Sequence, residues 1–174
     1  FMQGTASKKT YDYMEEAIST YLTVCRLPQF ATRATVLSVE CLKTAQLYID
    51  AAKQLTRMTS EDADLRSALL LEQAAYCYLT SQPSYYRKYA FHSVLSGHRY
   101  TKAGQRKHAF RMYKQAEQVL SNRGWNLAED HIQYTISKQA IALKKLEEAI
   151  ECLAHLLRPT SLQSSQQQVG FLRE

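Results

Sequence analysis

Helix breakers are scarce in this chain, and where they fall decides what it can become. Five glycines and three prolines are spread over 174 residues, too few for the closely spaced turns of a β-sandwich. Pro28, Pro83 and Pro159, together with Gly104 and Gly124, mark off about seven predicted helices. The first covers about Lys9 to Arg26, with Tyr13, Ala17, Tyr21 and Val24 at helical spacing. It ends at Leu27-Pro28, since a residue before proline avoids the α region. The second runs from about Thr32 to Thr56 on a broad apolar stripe that includes Val39, Leu42, Ala52 and Leu55. Thr59-Ser60-Glu61-Asp62 opens the third, a hydroxyl cap followed by acids that suit the positive end of the helix dipole. Its body, Leu65 to Tyr78, is apolar almost all round and predicts a helix enclosed by neighbours.

The fourth helix, about Tyr86 to Ala103, stops at Gly104 in a left-handed cap. The fifth runs from about Gln105 to Ser121 and is closed by Asn122-Arg123-Gly124. Asn126 is then predicted to cap the sixth, with Glu129 completing a capping box and Trp125 in the staple position. That helix reaches about Leu143, and the seventh covers Leu146 to Arg158. From Ser161 the chain is Gln- and Ser-rich and only weakly periodic.

Helices in series with short turns pack antiparallel, so the predicted class is all-α, a bundle or a right-handed α-solenoid. Gly97, Tyr100, Gly104, Ala109, Tyr113 and Ala116 favour the solenoid, standing at the small and aromatic positions of a tetratricopeptide-type helix pair. Gly97 and Ala109 would let two backbones approach, with Tyr100 and Tyr113 filling the gaps beside them. Ser93 stands at the usual tryptophan position, Ser121 at the closing proline, and the next pair, around Tyr134 and Ala149, is spaced more widely than a repeat of about 34 residues. The expectation is one irregular, tetratricopeptide-like solenoid segment over residues 1–174. A start at Phe1 and an end at Glu174, within what reads as a further helical segment, are expected of an excerpt from a longer polypeptide.

Several function classes find no support. No apolar run approaches the roughly 20 residues of a membrane span, and Phe1 to Arg26 lacks the basic-then-apolar order of a signal peptide. Cys25, Cys41, Cys77 and Cys152 are far apart with no C-x-x-C pair, so they read as free thiols buried in helices, not as disulfide partners or metal ligands. The sequence predicts no metal site and no cofactor. Gly97 to Gln105 lacks the glycine density and strand context of a phosphate loop. Glu129-Asp130-His131 is the nearest thing to an acid/base cluster, but neighbouring helix positions point in different directions and do not converge on one substrate. No catalytic residue is predicted.

Charge supplies the candidate site. Between Gln73 and Ala116 there is no Asp or Glu, while Arg87, Lys88, Arg99, Lys102, Arg106, Lys107, Arg111 and Lys114 put +8 of the chain's net +6 there, leaving −2 for the rest. On the fourth helix Lys88, His92, Arg99 and Lys102 should share an outer face, with Ala90, Phe91, Val94 and Thr101 turned away. On the fifth, Lys107, Arg111 and Lys114 should lie opposite Ala109, Tyr113, Ala116 and Leu120. Exclusion of acids over so long a stretch points to an acidic partner, be it protein, anionic membrane or nucleic acid, with a solvated helix surface as the alternative. Tyr85, Tyr86, Tyr89 and Tyr100 are interleaved as single-stranded nucleic acid would want, but no nucleic-acid motif accompanies them. Against lipid, no helix is predicted to pair its basic face with an exposed aromatic stripe.

Five stretches carry a family resemblance: 59–75, 87–92, 97–100, 102–109 and 124–132, the last reading Gly-Trp-Asn-Leu-Ala-Glu-Asp-His-Ile, with a fainter match from Gln166 to Glu174. Together they resemble the eighth-subunit family of the TRAPP trafficking complex, the large subunits specific to its TRAPP III form. The likeness extends from about Tyr11 onward and is densest between Thr59 and Ile132. It implies a segment of a middle α-solenoid in a subunit that docks on the core of a nucleotide exchange factor for a Rab-type GTPase. The implied partners are other subunits of the complex, the GTPase through the whole assembly, and an anionic membrane surface. The implied setting is the cytoplasmic side of early Golgi, ER–Golgi intermediate and autophagic membranes. The exchange chemistry of that family belongs to small core subunits, so the resemblance transfers no catalytic residues.

Overall fold

The computed structural model describes residues 8–59, 63–159, 161 and 163–174. Every regular element among the described residues is a helix. They are α1 (Lys8–Thr23), α2 (Pro28–Thr44), α3 (Tyr48–Met58), α4 (Asp64–Thr80), α5 (Tyr86–Lys102), α6 (Arg106–Leu120), α7 (Asn126–Ala142), α8 (Leu146–Leu156) and α9 (Ser165–Phe171). The chain divides into two compact units, Phe1–Tyr89 and Ala90–Glu174, with the boundary inside α5.

In the first unit each helix packs on the next, α1 on α2, α2 on α3 and α3 on α4. Small residues make this possible: α2 buries Ala31, Thr35 and Ser38, and α3 buries Ala51 and Ala52. Short side chains at these contacts bring helix axes close enough for Leu42, Leu55 and Met58 to fill the remaining space. Alternate helices are also joined. Arg57 of α3 donates to the Ser19 hydroxyl of α1 at 2.9 Å, and Lys43 of α2 donates to Gln73 of α4 at 3.3 Å.

In the second unit α6 packs on α7 and α7 on α8, while α9 makes a light contact with α8. Tyr100, Met112, Tyr113, Ile136 and Leu156 form its innermost layer. Gln133 of α7 donates to Glu117 of α6 at 2.7 Å.

Three turns share one hydrogen-bond pattern. After α2, α5 and α7 the chain places Gln46, Gly104 and Lys144 in the left-handed region, at φ +60, +74 and +60. The following residue then donates back across the turn, Leu47 to Leu42, Gln105 to Tyr100 and Lys145 to Ala140, at 2.8 to 2.9 Å. This closure satisfies a carbonyl the helix end would leave orphaned. At Gly104 the conformation is free of the Cβ penalty that Gln46 and Lys144 carry.

Most predicted helices are found, with differences that have physical causes. The stretch Thr32 to Thr56 is two helices, because the left-handed Gln46 ends α2 at Thr44. Pro28 begins α2 instead of merely ending α1, since its missing N–H is one a helix start leaves unbonded anyway. The tail from Ser161 contains α9, opened by a capping box in which Ser164 and Gln167 bond reciprocally. The predicted opening of the third helix at Ser60-Glu61-Asp62 lies outside the described residues; α4 starts at Asp64 with Ala63 in the cap position. Nor is α4 enclosed all round: Leu65 and Leu69 are exposed. Asn126 lies in the first turn of α7 behind Trp125, and no side chain caps that end. Two thiols, Cys25 and Cys41, are exposed, so only Cys77 and Cys152 fit the buried reading; all four are free.

Candidate interaction surface

The charged candidates sit on two helices of different character. On α6 the sequence pattern holds: Ala109, Met112, Tyr113 and Ala116 are buried, and Arg106, Lys107 and Arg111 are exposed. Lys114 is half-buried and ion-paired with Glu117 at 2.8 Å. Burial pulls its ammonium pKa down, but the bond and charge of Glu117 outweigh this and raise it overall. Lys114 therefore closes a chain that runs through Glu117 to Gln133 of α7.

On α5 the expected faces are rotated. Ala90 is buried as predicted, but Phe91 is 59% exposed, Thr101 is exposed, and His92 is buried. The inward face is Tyr89, His92, Ser93, Ser96, Gly97 and Tyr100. At Gly97 this face meets α6 closely enough that the Tyr113 ring fills the space of a side chain. Arg87, Lys88 and Lys102 are exposed and Arg99 half-buried. The Lys88 ammonium lies over the rings of Tyr78 and Tyr85, at 5.2 and 5.0 Å. Of the interleaved tyrosines, Tyr89 and Tyr100 are core and Tyr86 is exposed. On α5 two aromatics, Tyr86 and Phe91, are exposed.

Gly97 is the pivot of the α5–α6 contact. A Cβ built there would lie 2.5 Å from Cε1 of Tyr113, so the tyrosine ring occupies the space a side chain would need. The Tyr113 hydroxyl lies 3.0 Å from Nδ1 of His98 and 3.4 Å from the Thr101 hydroxyl, which itself donates to the Gly97 carbonyl at 2.9 Å. Burial, then the nearby His131 and Lys102, lowers the His98 pKa below the ordinary 6.5. A neutral imidazole that carries its proton on Nε2 accepts a hydrogen bond from the tyrosine O–H at Nδ1. Sequence reading found Gly97 and Tyr113 but missed this polar link. Its only signal was His98 and Thr101 placed one and four residues beyond Gly97.

Glu129, Asp130 and His131 diverge as their spacing requires. Glu129 and Asp130 are 8% and 3% exposed, and His131 points outward beside the His98 ring at 5.6 Å. Glu129 accepts from the Asn122 backbone N–H at 3.3 Å and lies 3.2 Å from His155 Nε2. Asp130 accepts from Ser161 at 3.2 Å and from Gln163 at 3.0 Å. These carboxylates tie α7 to the turn before it, to α8 and to the segment leading into α9. A cleft of about 140 Å³ remains among Asn122, Asn126, Glu129, Asp130, His155, Arg158 and Ser161. Among the described residues no three His, Cys, Asp or Glu side chains are grouped to hold a metal ion, and no helix is long and apolar enough to cross a membrane.

No protein-family model matches the chain. Its sequence is similar to human trafficking protein particle complex subunit 8, at 52% identity over 162 residues. The match takes in 93% of this chain and 11% of that protein, so the chain spans about a ninth of its relative's length.

Proposed function

Since the chain is a homologue of a stretch of trafficking protein particle complex subunit 8, we propose that it is a non-catalytic docking segment of a multisubunit tethering and Rab guanine-nucleotide-exchange complex. Its work is in ER-to-Golgi transport and autophagy, on the cytoplasmic side of early Golgi and autophagic membranes. The antiparallel helix pairs are those of an irregular α-solenoid, and partner subunits bind its helical faces. The observation that carries the reading is the 52% identity, which extends over nearly the whole chain. It is supported by α6, where Arg106, Lys107 and Arg111 stand exposed within a stretch devoid of acids. Such a face attracts and orients an acidic subunit. Arg87, Lys88, Arg99 and Lys102 extend the basic character along α5, and Lys114 anchors it to the core.

Size-exclusion co-elution with the reconstituted core of the complex tests this, beside a variant carrying Arg99→Glu, Arg106→Glu and Arg111→Glu. The folded variant should lose co-elution. Unchanged co-elution would separate the basic residues from docking. Exposed Tyr86 and Phe91 favour a second reading, in which α5 meets anionic lipid. Sedimentation of the chain with anionic vesicles, lost in the same variant, would establish that reading instead.

A further inference from the structure

The first unit carries an open groove between α2 and α4, lined by Gln29, Thr32, Arg33, Val36, Leu37 and Arg66, with a volume of about 590 Å³. The two helices meet at the Lys43–Gln73 hydrogen bond, and the groove lies toward their N-terminal ends. Within the lining, Leu37 is 65% exposed and Val36 is exposed as well, an arrangement of large apolar side chains that ordinarily marks a binding surface. At the α1 end, Phe30 stacks on Tyr21 with ring centroids 6.1 Å apart, and the Arg33 guanidinium lies 5.8 Å from the Phe30 centroid. The ring therefore limits the orientations open to Arg33. Among the described residues the lining holds guanidinium groups and no carboxylate.

From this charge and shape we infer that the groove is a docking site for an acidic amphipathic helix of a partner protein. The occupant's leucine-type side chains, one turn apart, pack on Val36 and Leu37, and a carboxylate on its flank pairs with Arg33. A furrow between two helices accepts a third helix by its apolar edge, and a guanidinium on the wall selects carboxylate and fixes register. The surface is separate from the residues of α5 and α6 discussed above and does not depend on their role.

Fluorescence anisotropy tests the inference with a labelled, end-capped helical peptide that presents two leucines one turn apart flanked by glutamates. Control peptides carry lysine for each glutamate or alanine for each leucine. The acidic peptide should bind saturably. Arg33→Glu and Leu37→Asp, both at exposed positions and checked for helicity by circular dichroism, should each weaken it about tenfold or more. The lysine peptide should bind Arg33→Glu better than the unaltered chain. Affinity in the two groove variants unchanged from that of the unaltered chain, or an alanine peptide that binds as tightly as the acidic one, would overturn the assignment. So would concentration-dependent self-association of the chain that Arg33→Glu abolishes, since the occupant would then be a second copy.

Discussion

At the scale of single residues, the α5–α6 contact depends on an absence. Gly97 leaves room that the Tyr113 ring fills completely, and a leucine there must push one helix off the other. Gly97→Leu should lower stability by about 1–3 kcal/mol, the usual penalty for overpacking, read as a fall in Tm. An unchanged Tm would mean the contact is soft. His98 makes the same contact sensitive to pH. Its pKa in the folded chain lies below 6.5 because of burial, His131 and Lys102, so the unfolded chain takes up the proton first as pH falls. The stability held by neutral His98 is thus full above pH 6.5 and is lost as pH drops through the folded value. His98→Gln, which keeps an acceptor for Tyr113, should flatten Tm against pH on the acid side; an unaltered slope would assign the titration elsewhere. The glycine was legible in the sequence because a missing side chain has a spacing signature. The imidazole was not, since its partners, Tyr113 and His131, come from neighbouring helices.

At the scale of elements, the turns are more alike than the helices they join. Gln46, Gly104 and Lys144 adopt the same left-handed conformation and close the same backward bond. Only one of them is glycine. That explains why the end of α5 could be read from sequence while the break between α2 and α3 was hidden inside an unbroken apolar pattern. The rotated face of α5 misleads hydropathy in the same way: it ranks Phe91 above Ser93, yet Ser93 is buried and Phe91 exposed. Because a Cβ at Gly104 meets nothing within 4 Å, Gly104→Ala tests conformation alone and should destabilise by about 1 kcal/mol. Gln46→Gly should act in the opposite direction by relieving the same strain. Thermal melts of the two variants moving the same way would refute the equivalence of the turns.

At the scale of the whole molecule, the all-helical class and the scarcity of acids between residues 73 and 116 were legible, because composition and punctuation average over many residues. The division into two units was not legible, since its boundary falls inside a continuous helix, at Tyr89. Thiol chemistry follows the same global pattern of burial. Burial raises the pKa of Cys77, and pushes that of Cys152 up to about 11 despite the nearby Lys114. Native protein should therefore expose two quickly reacting thiols, Cys25 and Cys41, to a disulfide reagent, with the other pair released only on unfolding. Four equally fast thiols would contradict the packing.

The lone tryptophan stands at the start of α7 in the second unit and is 42% exposed. Light absorbed by indole alone consequently reports on residues 90–174 and is silent about the other half, whereas circular dichroism sees the helices of both. Nature has thus labelled one half of this chain, and superposing the two signals during denaturation would show whether the halves melt together or in turn.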